Sequence, residues 1–123
     1  PPTYAWYIAG LVLAWTKRYG GVKAFGELNQ LKAQKLYQLI DEHKHFYMNA
    51  VHPNSRSIMN VPFNLPSEEL TELFLKEATK ENLTNLKGHR LGGGVRASIY
   101  NAMPLAGVDA LIDFMKEFLR KHG

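Results

Sequence analysis

The chain has 123 residues, 46% of them hydrophobic, with 15 lysines and arginines against 11 acids, a formal charge of +4 and no cysteine. Such a length and composition fit one folded domain and argue against disorder, while the missing cysteines exclude disulfides and thiolate metal sites and point to a reducing, cytoplasmic setting. The basic balance admits nucleic-acid binding, but the ten lysines and five arginines are scattered among acids rather than clustered with aromatics, the pattern of a solvated surface.

Residues 4–15 form an uncharged run that falls short of the roughly 20 residues needed to cross a bilayer, and it carries neither a basic leader nor a small-residue cleavage site. It reads as a buried helix over 3–19, apolar nearly all round (Trp6, Tyr7, Ile8, Leu11, Val12, Leu13, Trp15), which needs protein on most of its sides. Missing sequence or a partner subunit would supply it. Pro1 and Pro2 suit a first helical turn whose cap lies upstream, so the chain is expected to be a piece of a longer polypeptide.

Gly20 and Gly21 should end that helix. Val22, Phe25, Leu28, Leu31, Leu36, Leu39 and Ile40 then follow the 3.6-residue period with lysines between them, predicting a long amphipathic helix along the surface. Residues 45–51 read as a short strand, and Pro53, Asn54 and Ser55 as a turn. Met59, Val61, Phe63 and Leu65 alternate with Ile58, Asn60, Pro62 and Asn64, a half-buried strand in which Pro62 marks an edge or bulge. Ser67 is a candidate N-cap, with Glu68 and Glu69 at the positive end of the helix bearing Leu70, Leu73 and Phe74.

A further strand is expected at 84–87, before the glycine run. Val95, Ala97 and Ile99 alternate with Arg96, Ser98 and Tyr100, so burying the first set turns Arg96 to the opposite face. Val108, Leu111, Ile112, Met115, Phe118 and Leu119 predict a closing amphipathic helix. The expected fold is therefore α/β of the α+β type: a small, mostly antiparallel sheet with helices on one face.

Three anion-binding side chains, His89, Arg90 and Arg96, surround Gly92, Gly93 and Gly94. The glycines permit positive φ and close approach to backbone, and the Arg96 guanidinium fork matches a carboxylate with two parallel hydrogen bonds. A doubly anionic small molecule is the natural guest, although a strand arginine and a loop His-Arg pair are also common as plain surface groups. The glycines fit neither a Walker A loop nor a GxGxxG fingerprint, because they precede a strand and no Lys-Ser or Lys-Thr follows. His43, His45 and His52 lack a carboxylate to complete a metal site and read as surface histidines. Arg56 is equally open to an anion site or a turn cap. With no Gly-x-Ser-x-Gly elbow, Ser55, Ser57 and Ser98 read as structural hydroxyls.

Four blocks carry a resemblance: Pro1-Pro2-Thr3-Tyr4-Ala5-Trp6-Tyr7, Ser57-Ile58-Met59-Asn60-Val61-Pro62-Phe63, Leu86-Lys87-Gly88-His89-Arg90, and Gly93-Gly94-Val95-Arg96-Ala97-Ser98-Ile99-Tyr100-Asn101-Ala102-Met103-Pro104. In this order they resemble the C-terminal part of the phosphoserine aminotransferase family, end to end of the chain. The resemblance implies the small domain of a fold-type-I enzyme that uses pyridoxal 5′-phosphate, with residues 1–20 a helix continuing from a missing large domain and 21–123 the C-terminal small domain. It further implies homodimers and the exchange of an amino group between glutamate and 3-phosphohydroxypyruvate in serine biosynthesis. Some bacterial members also act on a related substrate of the vitamin B6 pathway.

Carried over by motif, Arg96 would hold the substrate α-carboxylate, and His89 and Arg90 the substrate phosphate or the distal carboxylate of glutamate. The family's cofactor-linking lysine, its aspartate partner and its stacking aromatic lie upstream. The chain alone is therefore expected to have no catalytic or cofactor-binding residue of its own, no bound cofactor and no turnover. Two rivals are a stand-alone module that binds phosphorylated metabolites through the same three residues, and an RNA-binding α+β domain, which would bind RNA with steep salt dependence.

Overall fold

Two glycines turn the first helix into the second. In the computed structural model, which describes residues 1–89 and 92–123, helix α1 (Thr3–Arg18) ends at Tyr19, whose N–H reaches Trp15 O at 3.1 Å. Gly20 and Gly21 then take φ of 96° and 77°, a left-handed reversal open to glycine, and lead into α2 (Gly21–Glu42). A short 3-10 turn at Pro53–Ser55 precedes strand β1 (Asn60–Phe63), followed by α3 (Glu68–Lys80), strand β2 (Val95–Ser98) and α4 (Leu105–His122).

The two strands pair antiparallel with Asn60 opposite Ser98, Val61 opposite Ala97, Pro62 opposite Arg96 and Phe63 opposite Val95. Single bridges extend the sheet on both sides, Met48 to Asn64 and Lys87 to Val95. Alternation does what the sequence requires. Val61, Phe63, Val95, Ala97 and Ile99 are buried beneath α2 and α4, while Asn60, Pro62, Arg96 and Ser98 share the other face. Pro62 costs the ladder nothing, because the even residues of β1 turn their backbone groups away from β2: Asn64 exchanges bonds with Met48, and Pro62 O accepts from Asn49 Nδ2 at 2.5 Å.

The core is aromatic at its centre. Phe74 of α3 is fully buried and meets Tyr47, Phe63, Phe114 and Phe118 at centroid distances of 5.0–6.4 Å, mostly edge to face. Tyr47 buries its hydroxyl by donating to Met115 O at 2.7 Å. Ser67 caps α3 as expected, accepting from Leu70 N at 3.2 Å, with Glu68 and Glu69 in the first turn.

Three expectations need correction. Residues 45–51 are not a strand: Phe46 and Tyr47 both donate backbone N–H to His43 O in a turn, and only Met48 makes a bridge, to Asn64 just past β1. The reason is that Phe46 and Tyr47 are both buried, which consecutive strand residues on a one-sided sheet cannot be. Residues 84–87 are reduced to the Lys87 bridge, because Asn82 and Asn85 sit at φ of 61° and 60°, outside extended backbone. On α2, Val22 (84% exposed) and Leu31 lie outside, and the buried stripe takes in Asn29 and Lys32 instead.

The first helix is not surrounded by this chain, which leaves its covering to sequence or a subunit outside it. None of its residues is buried; Trp6 is 74% and Leu13 69% exposed, and packing is confined to its last turn, where Trp15 stacks on Phe25 at 4.7 Å. An uncharged apolar surface of this extent drives association. Light scattering at rising concentration is expected to give an average mass above the 14.0 kDa of one chain; a strict monomer throughout would contradict the exposed placement of α1.

Arg56 resolves to a structural role. It makes a two-pronged bond to Asp41, 2.6 Å on each side, and lies over the Tyr37 ring at 4.6 Å, joining the 3-10 turn to α2. Hydrogen bonding from Arg56 holds the Asp41 carboxyl below its ordinary pKa of 3.8. A depressed carboxylate adds stability above its unfolded pKa and loses it as pH falls through the folded value. Asp41→Asn should therefore cost about 1 kcal/mol or less at neutral pH, since the carboxylate is half exposed, and should flatten the acid limb below about pH 4 in denaturant titrations. An unchanged acid limb would contradict this assignment.

Candidate functional site

The glycine loop folds back on itself before β2. Gly88 N donates to Gly94 O at 2.9 Å, and Gly92 N and Gly93 N both donate to His89 O, at 3.0 and 2.8 Å. Glycine is required twice here. A Cβ at Gly88 would stand 1.8 Å from Gly93 O, and one at Gly94, where φ is +64°, would stand 2.0 Å from Asn64 Oδ1. The closed loop delivers the chain to β2 with Val95 pointing into the core and Arg96 away from it.

Arg96 is half-buried on the polar face of the sheet, directly opposite Pro62. Its backbone N–H donates to Leu86 O at 2.8 Å, and its Nε is shielded from solvent with no hydrogen-bond partner among the described residues. A desolvated guanidinium nitrogen of this kind carries an unmet demand for an acceptor. Arg96 and His89 open on one cavity of about 230 Å³ whose walls include Met48, Pro62, Asn64 and Gly93. A second cavity of about 580 Å³ also borders His89, together with Lys87, Asn64 and the first turn of α3. His89, Asn64, Gly88 and Gly93 border both. Arg90 lies outside the described residues.

The structure therefore brings together two of the three expected residues, Arg96 and His89, and adds Asn64, which sequence reasoning passed over. Its signal was present, since Asn64 continues the Asn60, Pro62 row that alternation sends to the face of Arg96. Ser98 Oγ and Tyr100 Oη both donate to Asn60 Oδ1, at 3.4 and 3.1 Å, extending that polar face. The histidines weighed as ligands lie elsewhere: His43 and His45 face each other edge-on at 6.1 Å, and His52 Nδ1 accepts from Asn54 N at 3.3 Å. Among the described residues no three His, Cys, Asp or Glu side chains gather in reach of one metal ion, and no helix is long and apolar enough to cross a membrane.

Chemically, a guanidinium fork, an imidazole and a carboxamide around a small cavity suit a compact ligand with anionic groups at two ends. Comparison with known proteins sharpens this reading. The family description "Aminotransferase class-V" matches residues 1–111. The chain belongs to that family. Within it, this class-V chain is 58% identical over all 123 residues to the phosphoserine aminotransferase of Coxiella burnetii (strain RSA 331 / Henzerling II), covering 34% of that protein. Two solved structures share its fold: phosphoserine aminotransferase from Bacillus circulans subsp. alkalophilus (TM-score 0.96, 43% identity, 100% of this chain and 34% of that one), and PLP-bound phosphoserine aminotransferase from Trichomonas vaginalis (TM-score 0.88, 40% identity, 94% and 33%). The class-V chain thus spans about one third of the length of the relatives it matches.

The cofactor named for the Trichomonas vaginalis relative acts through a covalent bond to a lysine amine. This class-V chain has ten lysines. Lys32 alone among them is buried, and its ammonium already serves three backbone carbonyls; the others are exposed or, for Lys35, half-buried and paired with Asp109.

Proposed function

We propose that this chain is the substrate-gripping C-terminal domain of a phosphoserine aminotransferase, which exchanges an amino group between glutamate and 3-phosphohydroxypyruvate to give 2-oxoglutarate and O-phosphoserine. The observation that carries the reading is the convergence of Arg96 and His89 on one cavity, with Arg96 Nε desolvated and without an acceptor among the described residues. Arg96 holds the α-carboxylate of either substrate through paired charge-assisted bonds, fixing the orientation of the carbon that gains or loses the amino group. His89, with Arg90 beside it in sequence, receives the phosphate or the distal carboxylate of glutamate. Both partners are thereby gripped at two ends by one set of donors.

Residues 1–20 are the helix that joins this domain to a large, cofactor-bearing one, and 21–123 are the small domain. The apolar surface of α1, open in this chain, is where the remaining two thirds of a relative-length polypeptide packs. The working enzyme is a cytoplasmic homodimer in serine biosynthesis that uses pyridoxal 5′-phosphate.

The 123-residue chain, given cofactor, glutamate and 3-phosphohydroxypyruvate, is expected to form no O-phosphoserine, because it lacks a lysine placed for the cofactor. The same chain carried in a polypeptide of its relatives' length is expected to form it. Turnover by the short chain, or none by the folded long one, would overturn the proposal.

A further inference from the structure

One face of α2 grips the turn that follows β2. Lys32 is 0% exposed, and its ammonium donates to Ile99 O at 3.1 Å, Tyr100 O at 2.8 Å and Met103 O at 3.0 Å. One helical turn earlier, the buried Asn29 donates from Nδ2 to Asn101 Oδ1 at 2.7 Å. A lysine ammonium has three N–H donors, and here each meets a carbonyl. No carboxylate among the described residues forms an ion pair with Lys32. Burial of this ammonium is costly, and a methionine of similar length would fill the same space without that cost. Packing alone therefore does not account for the charge.

What the three carbonyls have in common is their place. Ile99 and Tyr100 continue β2, and Met103 lies just before α4. β2 has four residues and one full partner strand, too little to hold its own pairing firmly. A slip of one residue would send Arg96 into the core and Val95 or Ala97 into the cavity. Lys32 opposes that slip from below, while Ile99 N on Met59 O at 2.9 Å and the hydroxyls of Ser98 and Tyr100 on Asn60 hold the same segment in the sheet.

From this geometry we infer that Lys32 is a positioning residue for Arg96: its buried ammonium pins the end of β2 and thereby presents the guanidinium to the cavity shared with His89. The inference rests on the reading of Arg96 as the carboxylate clamp, but its test needs no ligand. Failure of the clamp reading would show in the turnover experiments and leave this result standing.

The chain has no native cysteine, so a Lys32→Cys variant can be alkylated in denaturant at that position alone and refolded. 2-Bromoethylamine restores an ammonium on a thioether stem, and iodoacetamide gives a neutral amide of similar length. Two nuclear magnetic resonance readouts follow the pin: hydrogen exchange at the Ile99 amide, and the N–H resonance of Arg96 Nε, which is shielded from solvent.

The neutral form should exchange at Ile99 at least 10-fold faster and displace the Arg96 resonance, with α3 amides within twofold of the native chain. The ammonium form should return both to native. Unchanged Arg96 and Ile99 signals in the neutral form, equal acceleration throughout α3, or no recovery in the ammonium form would each overturn the inference. If the neutral alkylated form does not fold, Lys32→Met takes its place. If neither folds, the ammonium form decides: native signals at both positions support the pin, and displaced ones refute it.

Discussion

In a polypeptide of its relatives' length, Arg96→Ala is expected to lower kcat/KM for both glutamate and O-phosphoserine by about 10²- to 10⁴-fold. Two hydrogen bonds to a charged acceptor contribute about 1.5–3 kcal/mol each, and each 1.36 kcal/mol is a factor of ten. Loss is expected for both substrates because the α-carboxylate is their common feature. Arg96→Lys keeps the charge but not the fork, and should recover only a minor part of the rate. Arg56 provides the control: its guanidinium is bonded to Asp41 outside the cavity, so Arg56→Lys should lower the melting temperature and leave kcat/KM within a few-fold. Equal losses at the two arginines in steady-state kinetics would contradict the placement of the clamp.

Phe74→Ala should produce the largest loss of stability. The ring is fully buried and touches four other aromatic rings drawn from the turn before β1, from β1 and from α4. Removing a ring of this kind costs about 3–5 kcal/mol, from lost transfer energy and from the cavity left behind. That is a large share of the roughly 5–15 kcal/mol that holds a domain together, so the variant is expected to be substantially unfolded well below the native melting temperature. Val22→Ala, at a position 84% exposed, should change stability by less than about 0.5 kcal/mol. Urea denaturation of the two variants checks both; a Phe74→Ala cost below about 1 kcal/mol would mean that the core collapses around the gap.

The helices and the face of Arg96 were legible in the sequence because periodicity reports burial directly. Val95, Ala97 and Ile99 are buried and Arg96 is not, as alternation required. The strand expected at 45–51 was not legible, because Phe46 and Tyr47 both go inward through a turn, a tertiary demand that local pattern does not carry. Residues 84–87 failed for a related reason: Asn82 and Asn85 adopt left-handed backbone, which asparagine permits without demanding. Lysines between apolar positions on α2 read as solvated, which holds for Lys23, while Lys35 is half-buried and paired with Asp109. Lys32 departs from it because its partners are carbonyls some 67–71 residues away, and backbone acceptors leave no mark in sequence.

The blocks that carried the family resemblance fall into two groups in the structure. The described residues of those at 86–90 and 93–104 build the loop, the strand that carries Arg96 and the turn bonded to Lys32, and the block at 57–63 supplies the partner strand. The first block, at 1–7, lies at the open start of helix α1, away from the last turn that carries Trp15 onto Phe25.

The most direct test of the central claim is a single-turnover measurement of amino-group transfer. The cofactor-loaded, relative-length polypeptide containing this chain is mixed with 2-oxoglutarate and either O-phosphoserine or L-serine, and the glutamate formed is followed. Gripping at both ends predicts glutamate from O-phosphoserine at a rate at least about 100-fold above that from L-serine, since donors built for the missing phosphate are left unpaired. Equal rates from the two amino acids, or no glutamate from O-phosphoserine in a well-folded polypeptide, would contradict it.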